Sequence, residues 1–198
     1  MIGKYYKHFK GNIYRVLHIA KHSETLEDMI VYQAMYGESR RFSLTLLCMS
    51  KTNKYQEIYK QIESLVSDEN DQIANMANTA ALLHEAFGFW WTGFYIVRDS
   101  QLVLGPFQGP IACTRIGFGK GVCGSAWQRR ETIVVPDVHE FPGHIACSSL
   151  SQSEIVVPMF HENEVYAVLD IDSTELSTFD EVDKIWLEKI VCLLSQYI

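Results

Sequence analysis

Two short runs near the start of the chain, Ile13-Tyr14-Arg15-Val16-Leu17 and Met29-Ile30-Val31-Tyr32, carry the strand-like alternation and the β-branched and aromatic content that predict β-structure. Gly11 and Gly37 are placed for turns, so this opening stretch reads as a small β unit. The period then changes. After Met49, Ile58, Ile62, Leu65 and Val66 recur at helical spacing, with Asn53 and Gln56 placed as a capping box. A second helix follows, capped by Asp71, with Ile73, Met76, Ala77, Ala80 and Leu83 on one face, His84 on its surface and Gly88 as its stop. Residues 91–97, 102–108 and 111–116 read as three successive strands of an antiparallel meander, broken by Asp99-Ser100 and Gly109-Pro110. The small residues after Gly117-Phe118-Gly119-Lys120-Gly121 let a short helix lie close on a sheet. Residues 132–135 are a further strand and 136–153 a long loop. Residues 155–160 and 165–171 form a hairpin across His161-Glu162-Asn163-Glu164. A last helix, opened by Thr178 and Glu181 as a capping box, buries Val182, Ile185, Trp186, Ile190 and Leu193. Helices gathered beside an antiparallel sheet make the fold class α+β.

Charge divides the chain where the periodicity does. Residues 1–48 hold seven Lys and Arg against four Asp and Glu, a balance of +3, so within a net charge of −7 the remainder carries −10. Two domains are expected, a small β-rich module at 1–48 and a larger domain at 49–198. The overall acidity disfavours nucleic acid as a partner. No apolar run approaches the ~20 residues of a membrane span, and the first residues lack the apolar stretch of a signal peptide. A cytoplasmic protein with reduced thiols at rest is expected.

In that setting the spacing of Cys113, Cys123 and Cys147 carries chemical interest. With no C-x-x-C pair among them they do not fit the usual zinc spacings. A thiol nucleophile with resolving partners needs only that the fold bring the sulfurs into exchange distance. The competing reading makes each a small buried hydrophobe, the commoner fate of a cysteine taken singly. Cys147 sits in the long loop, and long loops in compact domains are often functional. Asp170 and Asp172 alternate onto one side of a strand. His139 and His161 have no companions at metal spacing, so no metal site is expected, and the glycines at 117–121 lack the spacing of a phosphate loop. His144 is read as an exposed loop histidine. Cys48 and Cys192 are read as inert thiols, the second on the buried side of the last helix.

Residues 49–198 resemble the free methionine-(R)-sulfoxide reductases, enzymes with a GAF fold. Four stretches carry the resemblance: Trp91-Thr92-Gly93-Phe94-Tyr95; Cys113-Thr114-Arg115-Ile116 with Gly119-Lys120-Gly121-Val122-Cys123-Gly124; Phe141-Pro142-Gly143-His144-Ile145-Ala146-Cys147; and Leu169-Asp170-Ile171-Asp172-Ser173. It implies a GAF-like antiparallel sheet with helices packed mainly on one side, and it implies roles. Cys147 corresponds to the catalytic thiol that attacks the sulfoxide sulfur. Cys113 and Cys123 correspond to the resolving positions, with thioredoxin as the external reductant and no bound cofactor. Glu154, Asp170 and Asp172 match the acidic pocket, with Glu154 or Asp172 as proton donor. Trp91 and Tyr95 match the wall that receives the substrate methyl group. GAF domains commonly pair, so a homodimer is the default by analogy. The rival reading is a GAF-type module that senses a small ligand or a redox change without turnover. Residues 6–12 and 22–27 resemble a short bacterial module of unknown function, of SH3-like kind, which the chain leaves at Arg40-Arg41-Phe42-Ser43-Leu44-Thr45-Leu46-Leu47.

Overall fold

The computed structural model describes residues 2–7, 13–21, 28–35, 47–48, 51–144 and 149–197. The chain divides into two compact units, Met1–Lys54 and Tyr55–Ile198. The first unit is a four-stranded antiparallel sheet in the order β1 (Tyr5–Lys7), β2 (Ile13–Lys21), β3 (Asp28–Ala34) and β4 (Leu47–Cys48). A register shift between Val16 and His18 bends β2 against β3, and Tyr14 and Tyr32 meet edge to face at 4.8 Å.

The second unit holds α1 (Lys51–Val66) from Tyr55 onward, α2 (Gln72–Phe87), β5 (Trp91–Arg98), β6 (Gln101–Gln108), β7 (Arg115–Gly117), α3 (Gly121–Arg129), β8 (Ile133–Val135), β9 (Ser153–His161), β10 (Glu164–Ser173) and α4 (Glu181–Leu194). Its sheet runs β7-β6-β5-β10-β9-β8, with every pair antiparallel. The last hairpin strand, β10, therefore fills the centre beside β5. Alternation sorts the side chains. Phe94, Ile96, Ile155, Val157, Leu169 and Ile171 point into a core shared with α1, α2 and α4. Trp91, Tyr95, Val156 and Val168 point to the other face, where Val122, Cys123 and Ala126 of α3 cover them. Three of the four helices thus lie on one side. Among the described residues no helix is long and apolar enough to cross a membrane.

Several boundaries differ from the sequence pattern for physical reasons. Helix α1 begins at Lys51, so Asn53 lies inside its first turn instead of capping it, and its buried seam is Tyr55, Ile58, Ile62 and Val66, with Leu65 exposed. Asp71 does cap α2, accepting from Ile73 N and Ala74 N at 2.9 Å, and Gly88 ends it in the left-handed conformation, although Ile73 faces solvent. Strand β7 spans only Arg115–Gly117, because Leu102 and Val103 of β6 pair with Ile116 and Arg115, and Ile111 stands in solvent. Strand β9 starts at Ser153, two residues before the apolar run, because its pairing with β10 extends to Ser173.

The box that opens α4 is made by Asp180 and Asp183, not by Thr178 and Glu181. The Thr178 hydroxyl is instead turned back onto Ser173 and the Glu175 carbonyl. This leaves Ile185 exposed and puts Leu187 in the core. Asp183 is fully buried. Its Oδ2 accepts from Asp180 N at 2.8 Å, and its Oδ1 accepts from the Tyr55 hydroxyl at 2.7 Å. The Tyr55 ring packs between Phe87 and Trp186, so one phenol ties α1 to α2 and α4. Tyr55→Phe should destabilise the fold by about 1–3 kcal/mol, since it removes a hydroxyl donor from a buried carboxylate. The check is urea unfolding with an unchanged slope. A loss below a few tenths of a kcal/mol contradicts this account.

Candidate active site

The site is built from strand register. Asp172 on β10 lies opposite Trp91 on β5 and Glu154 on β9, while Asp170 lies opposite Gly93 and Val156. Residues paired across strands, or two apart along one, share a face. Trp91, Tyr95, Glu154, Asp170 and Asp172 therefore project to the α3 side of the sheet. Gly93 belongs to this set, and its missing side chain matters: a Cβ there would stand 2.5 Å from the Trp91 ring and 2.4 Å from Phe107 Cβ. A bulge in the pairing of β5 with β6, at Gly105 and Pro106, carries Phe107 over the same ring. Trp91 is thus stacked between Phe107 at 5.4 Å and Tyr95 at 5.9 Å.

The two aromatic wall residues also hold the segment before β7. The Trp91 indole N–H donates to the Pro110 carbonyl at 3.1 Å, and the Tyr95 hydroxyl donates to the Cys113 carbonyl at 3.0 Å. Cys113 is disulfide-bonded, while Cys123 and Cys192 are free thiols, so the sulfur joined to Cys113 is not that of Cys123. Cys147 lies outside the described residues. Cys192 is exposed, not buried: on α4 it falls between Val191 and Leu193, which face the core.

Helix α3 supplies the second thiol. Gly124 lets it lie close on the preceding turn, since a Cβ there would be 2.3 Å from the Gly117 carbonyl oxygen. This close approach presses the neighbouring Cys123 inward, 4.0 Å from Glu154 Oε1. The cavity beneath is lined by Trp91, Tyr95, Cys123, Glu154, Asp170 and Asp172, all expected from the sequence. Trp90, Lys120, His144 and Ser151 also line it and were not anticipated. Trp90 had a weak signal in its adjacency to the wall. Ser151, which hydrogen-bonds Asp172, had none in a stretch read as loop. His144 is half-buried with its Nδ1 shielded, unlike the exposed histidine expected. Burial, then the neighbouring His139, holds it below its usual value and favours the neutral ring.

Glu154 is 5% and Asp170 7% exposed. Burial first, then the mutual repulsion of the three acids, pushes both carboxyls well above the usual carboxylate range. Burial lifts Asp172 to about 6, with the Ser151 hydrogen bond working against it. The Cys123 thiol is pushed up by burial and then by Asp170 and Glu154. The pocket thus sets two carboxyls and a thiol pushed toward their protonated forms beside an acid that titrates near 6, which suits proton donation to a departing oxygen. Histidine spacing had pointed away from a metal. Without any histidine, one ligand atom each from Cys123, Glu154 and Asp170 lies within 4.8 Å of the others.

Fold and site together define a GAF-domain protein with a thiol-and-carboxyl pocket. Residues 73–198 match the family described as GAF domain, and residues 4–46 match one described as a protein of unknown function (DUF1653). The "GAF domain-containing protein A" of Dictyostelium discoideum is 56% identical over 73% of this chain and 92% of its own length. The free methionine-R-sulfoxide reductase of Escherichia coli is 45% identical over 75% of this chain and 90% of its own. The X-ray structure of the free methionine-R-sulfoxide reductase from Neisseria meningitidis in complex with its substrate superposes with a TM-score of 0.73 at 55% identity, over 74% of this chain and 89% of that one. The chain belongs to the GAF-fold free methionine-R-sulfoxide reductase family.

The raised value of Asp172 fixes a sign for stability. Its ordinary value is 3.8 and its folded value about 6, so the folded chain keeps a proton that the unfolded chain releases between them. Stability is lost as pH rises through that window, by on the order of 3 kcal/mol once both forms are ionised. Asp172→Asn should therefore raise the unfolding midpoint relative to the parent at pH 8 and not below pH 4. Equal differences at both pH values in thermal melts contradict this assignment.

Proposed function

We propose that this chain reduces free L-methionine-(R)-sulfoxide to methionine. The observation that carries the reading is the carboxyl trio, with Glu154 and Asp170 pushed by burial toward the protonated form and Asp172 raised to about 6, in a cavity walled by Trp91 and closed by Cys123. In this reading the Cys147 thiolate attacks the sulfoxide sulfur while Glu154 or Asp172 supplies a proton to the sulfoxide oxygen. Oxygen passes to the cysteine sulfur, methionine leaves, and Cys147 is left as a sulfenic acid: its sulfur loses two electrons and the substrate sulfur gains them. Cys113 then displaces water from the sulfenic acid and forms a disulfide with Cys147. The disulfide at Cys113 and the free thiol at Cys123 support Cys113 as the first resolving thiol, with Cys123 the second. A thioredoxin-type dithiol resets the pair by exchange. No bound cofactor takes part.

The recognition logic follows from charge. A free amino acid differs from a peptide residue by its ammonium and carboxylate groups, and a cavity with three acids, of which Asp172 titrates near 6 and is largely ionised at neutrality, suits the ammonium. The part of the Trp91 ring that lines the cavity, with Tyr95 beside it, offers an apolar surface to the S-methyl group. Reading Trp91 as a wall and not a donor is supported by the use of its N–H on Pro110. A cytoplasmic setting, where thioredoxin is kept reduced, fits this cycle, and a homodimer remains the arrangement proposed by analogy.

Turnover tests the proposal. With thioredoxin, its reductase and NADPH, the chain should consume NADPH with free methionine-R-sulfoxide, and not with the S epimer or a blocked peptide sulfoxide. Loss of a correctly placed proton donor in Asp172→Asn should lower kcat by roughly 10²–10⁴. Cys147→Ser should abolish methionine formation. Cys113→Ser should still release about one methionine per chain in the first turnover and then stall, because sulfenic acid formation needs only the attacking thiol. Unchanged multiple turnover in Cys147→Ser overturns the mechanism, and NADPH loss with every sulfoxide overturns the substrate assignment.

A further inference from the structure

We propose that Cys123, Glu154 and Asp170 form a binding site for one thiophilic divalent cation of the Zn²⁺ class, and that its occupancy closes the pocket to substrate. The donors are one thiol and two carboxyls from three separate elements, α3, β9 and β10, and their ligand atoms lie within 4.8 Å of one another. Zinc binds thiolate at about 2.3 Å and carboxylate at about 2.0–2.2 Å, so tetrahedral geometry needs a sulfur-to-oxygen separation of about 3.6 Å. Cys123 Sγ and Glu154 Oε1 stand 4.0 Å apart. For this pair a shift of a few tenths of an ångström reaches the tetrahedral separation, and the Asp170 oxygen lies within 4.8 Å of both ligand atoms.

A second observation points to a ligand. Asp170 is more than nine-tenths buried, lines the cavity, and its Oδ1 has no hydrogen-bond partner among the described residues. An unsatisfied buried oxygen of this kind calls for an ion, a water or a proton. Of the residues that line the cavity, Lys120 alone carries a fixed positive charge, and it is exposed at the mouth. Nothing cationic among the described residues competes for the interior oxygens. On binding, the Cys123 thiol and the Glu154 and Asp170 carboxyls release their protons to solvent, and one sulfur–metal and two oxygen–metal bonds form, with no change of oxidation state. Three protein ligands leave the fourth position open to water, as in sites that are not purely structural. Asp172, tied to Ser151, stays outside the donor set.

The site survives oxidation of the neighbouring thiol, since Cys123 is free where Cys113 is disulfide-bonded. Metal capture thus adds a control on the reductase that the thiol cycle itself does not provide. The proposal rests on the same cavity as the reductase reading but not on sulfoxide chemistry.

The test uses the full chain in buffer without thiol reductant, titrated with Co²⁺ and followed by its sulfur-to-cobalt charge-transfer band in the near ultraviolet, then displaced with Zn²⁺. One equivalent should bind with that band present. Cys123→Ser should lose the band, and the isosteric Glu154→Gln should weaken binding by more than the ~10–100-fold that outer-shell changes cost. Cys192→Ser should leave both unchanged. Absence of the band in the parent chain, its persistence in Cys123→Ser, or equal affinity in Glu154→Gln overturns the site. If Cys123→Ser does not fold, Glu154→Gln alone decides. A chain that turns over sulfoxide without binding cobalt loses only this proposal, and one that binds cobalt without turnover loses only the reductase reading.

Discussion

Taking a carboxylate out of water costs several kcal/mol unless a cation or hydrogen-bond donors replace the solvent, and this fold gathers three on one face of its central strands with no interior cation among the described lining residues. They are tolerated because burial shifts them toward the neutral form, in which each carboxyl becomes a donor as well as an acceptor. The cost is borne by the opposite side of the sheet, where the strands close over a continuous apolar core with three helices. A firm platform there allows a strained polar cluster here. Pocket chemistry and helix packing are thus two faces of the same strands, β5, β9 and β10.

The parts of the site that follow a local period were legible in the chain. Asp170 and Asp172 alternate, and period two alone puts them together. Trp91 and Tyr95 differ by four, an even number, and share the face for the same reason. Glu154 was harder. It follows a stretch of Pro, Gly and Ser that reads as loop, and it becomes a strand residue only because β10 continues far enough to pair Asp172 with it. No window of sequence around Glu154 contains that fact. Which cysteine stays free is likewise a matter of tertiary placement, which no window of sequence around Cys113 or Cys123 contains.

The same contrast separates the helix ends. Asp71 and Gly88 are local devices and were readable. The box on α4 was misplaced by two residues, because Thr178 and Glu181 satisfy the pattern as well as Asp180 and Asp183 do. What decides between them is Tyr55, which needs a buried partner at position 183. Leu65, Ile73 and Ile185 were assigned inward by periodicity and stand outward. Periodicity gives the width of an apolar stripe more reliably than its edge.

The Tyr55–Asp183 bond spans 128 residues, and this has a bearing on biosynthesis. While the ribosome is still making the middle strands, α1 has already emerged with its phenol and apolar seam facing water and no partner to receive them. The central strand β10 and helix α4 come last, so neither the sheet nor the bond can close until most of the unit has been translated. Late closure of this kind leaves the apolar seam of a growing chain uncovered for many seconds, because synthesis of the closing elements has to be awaited.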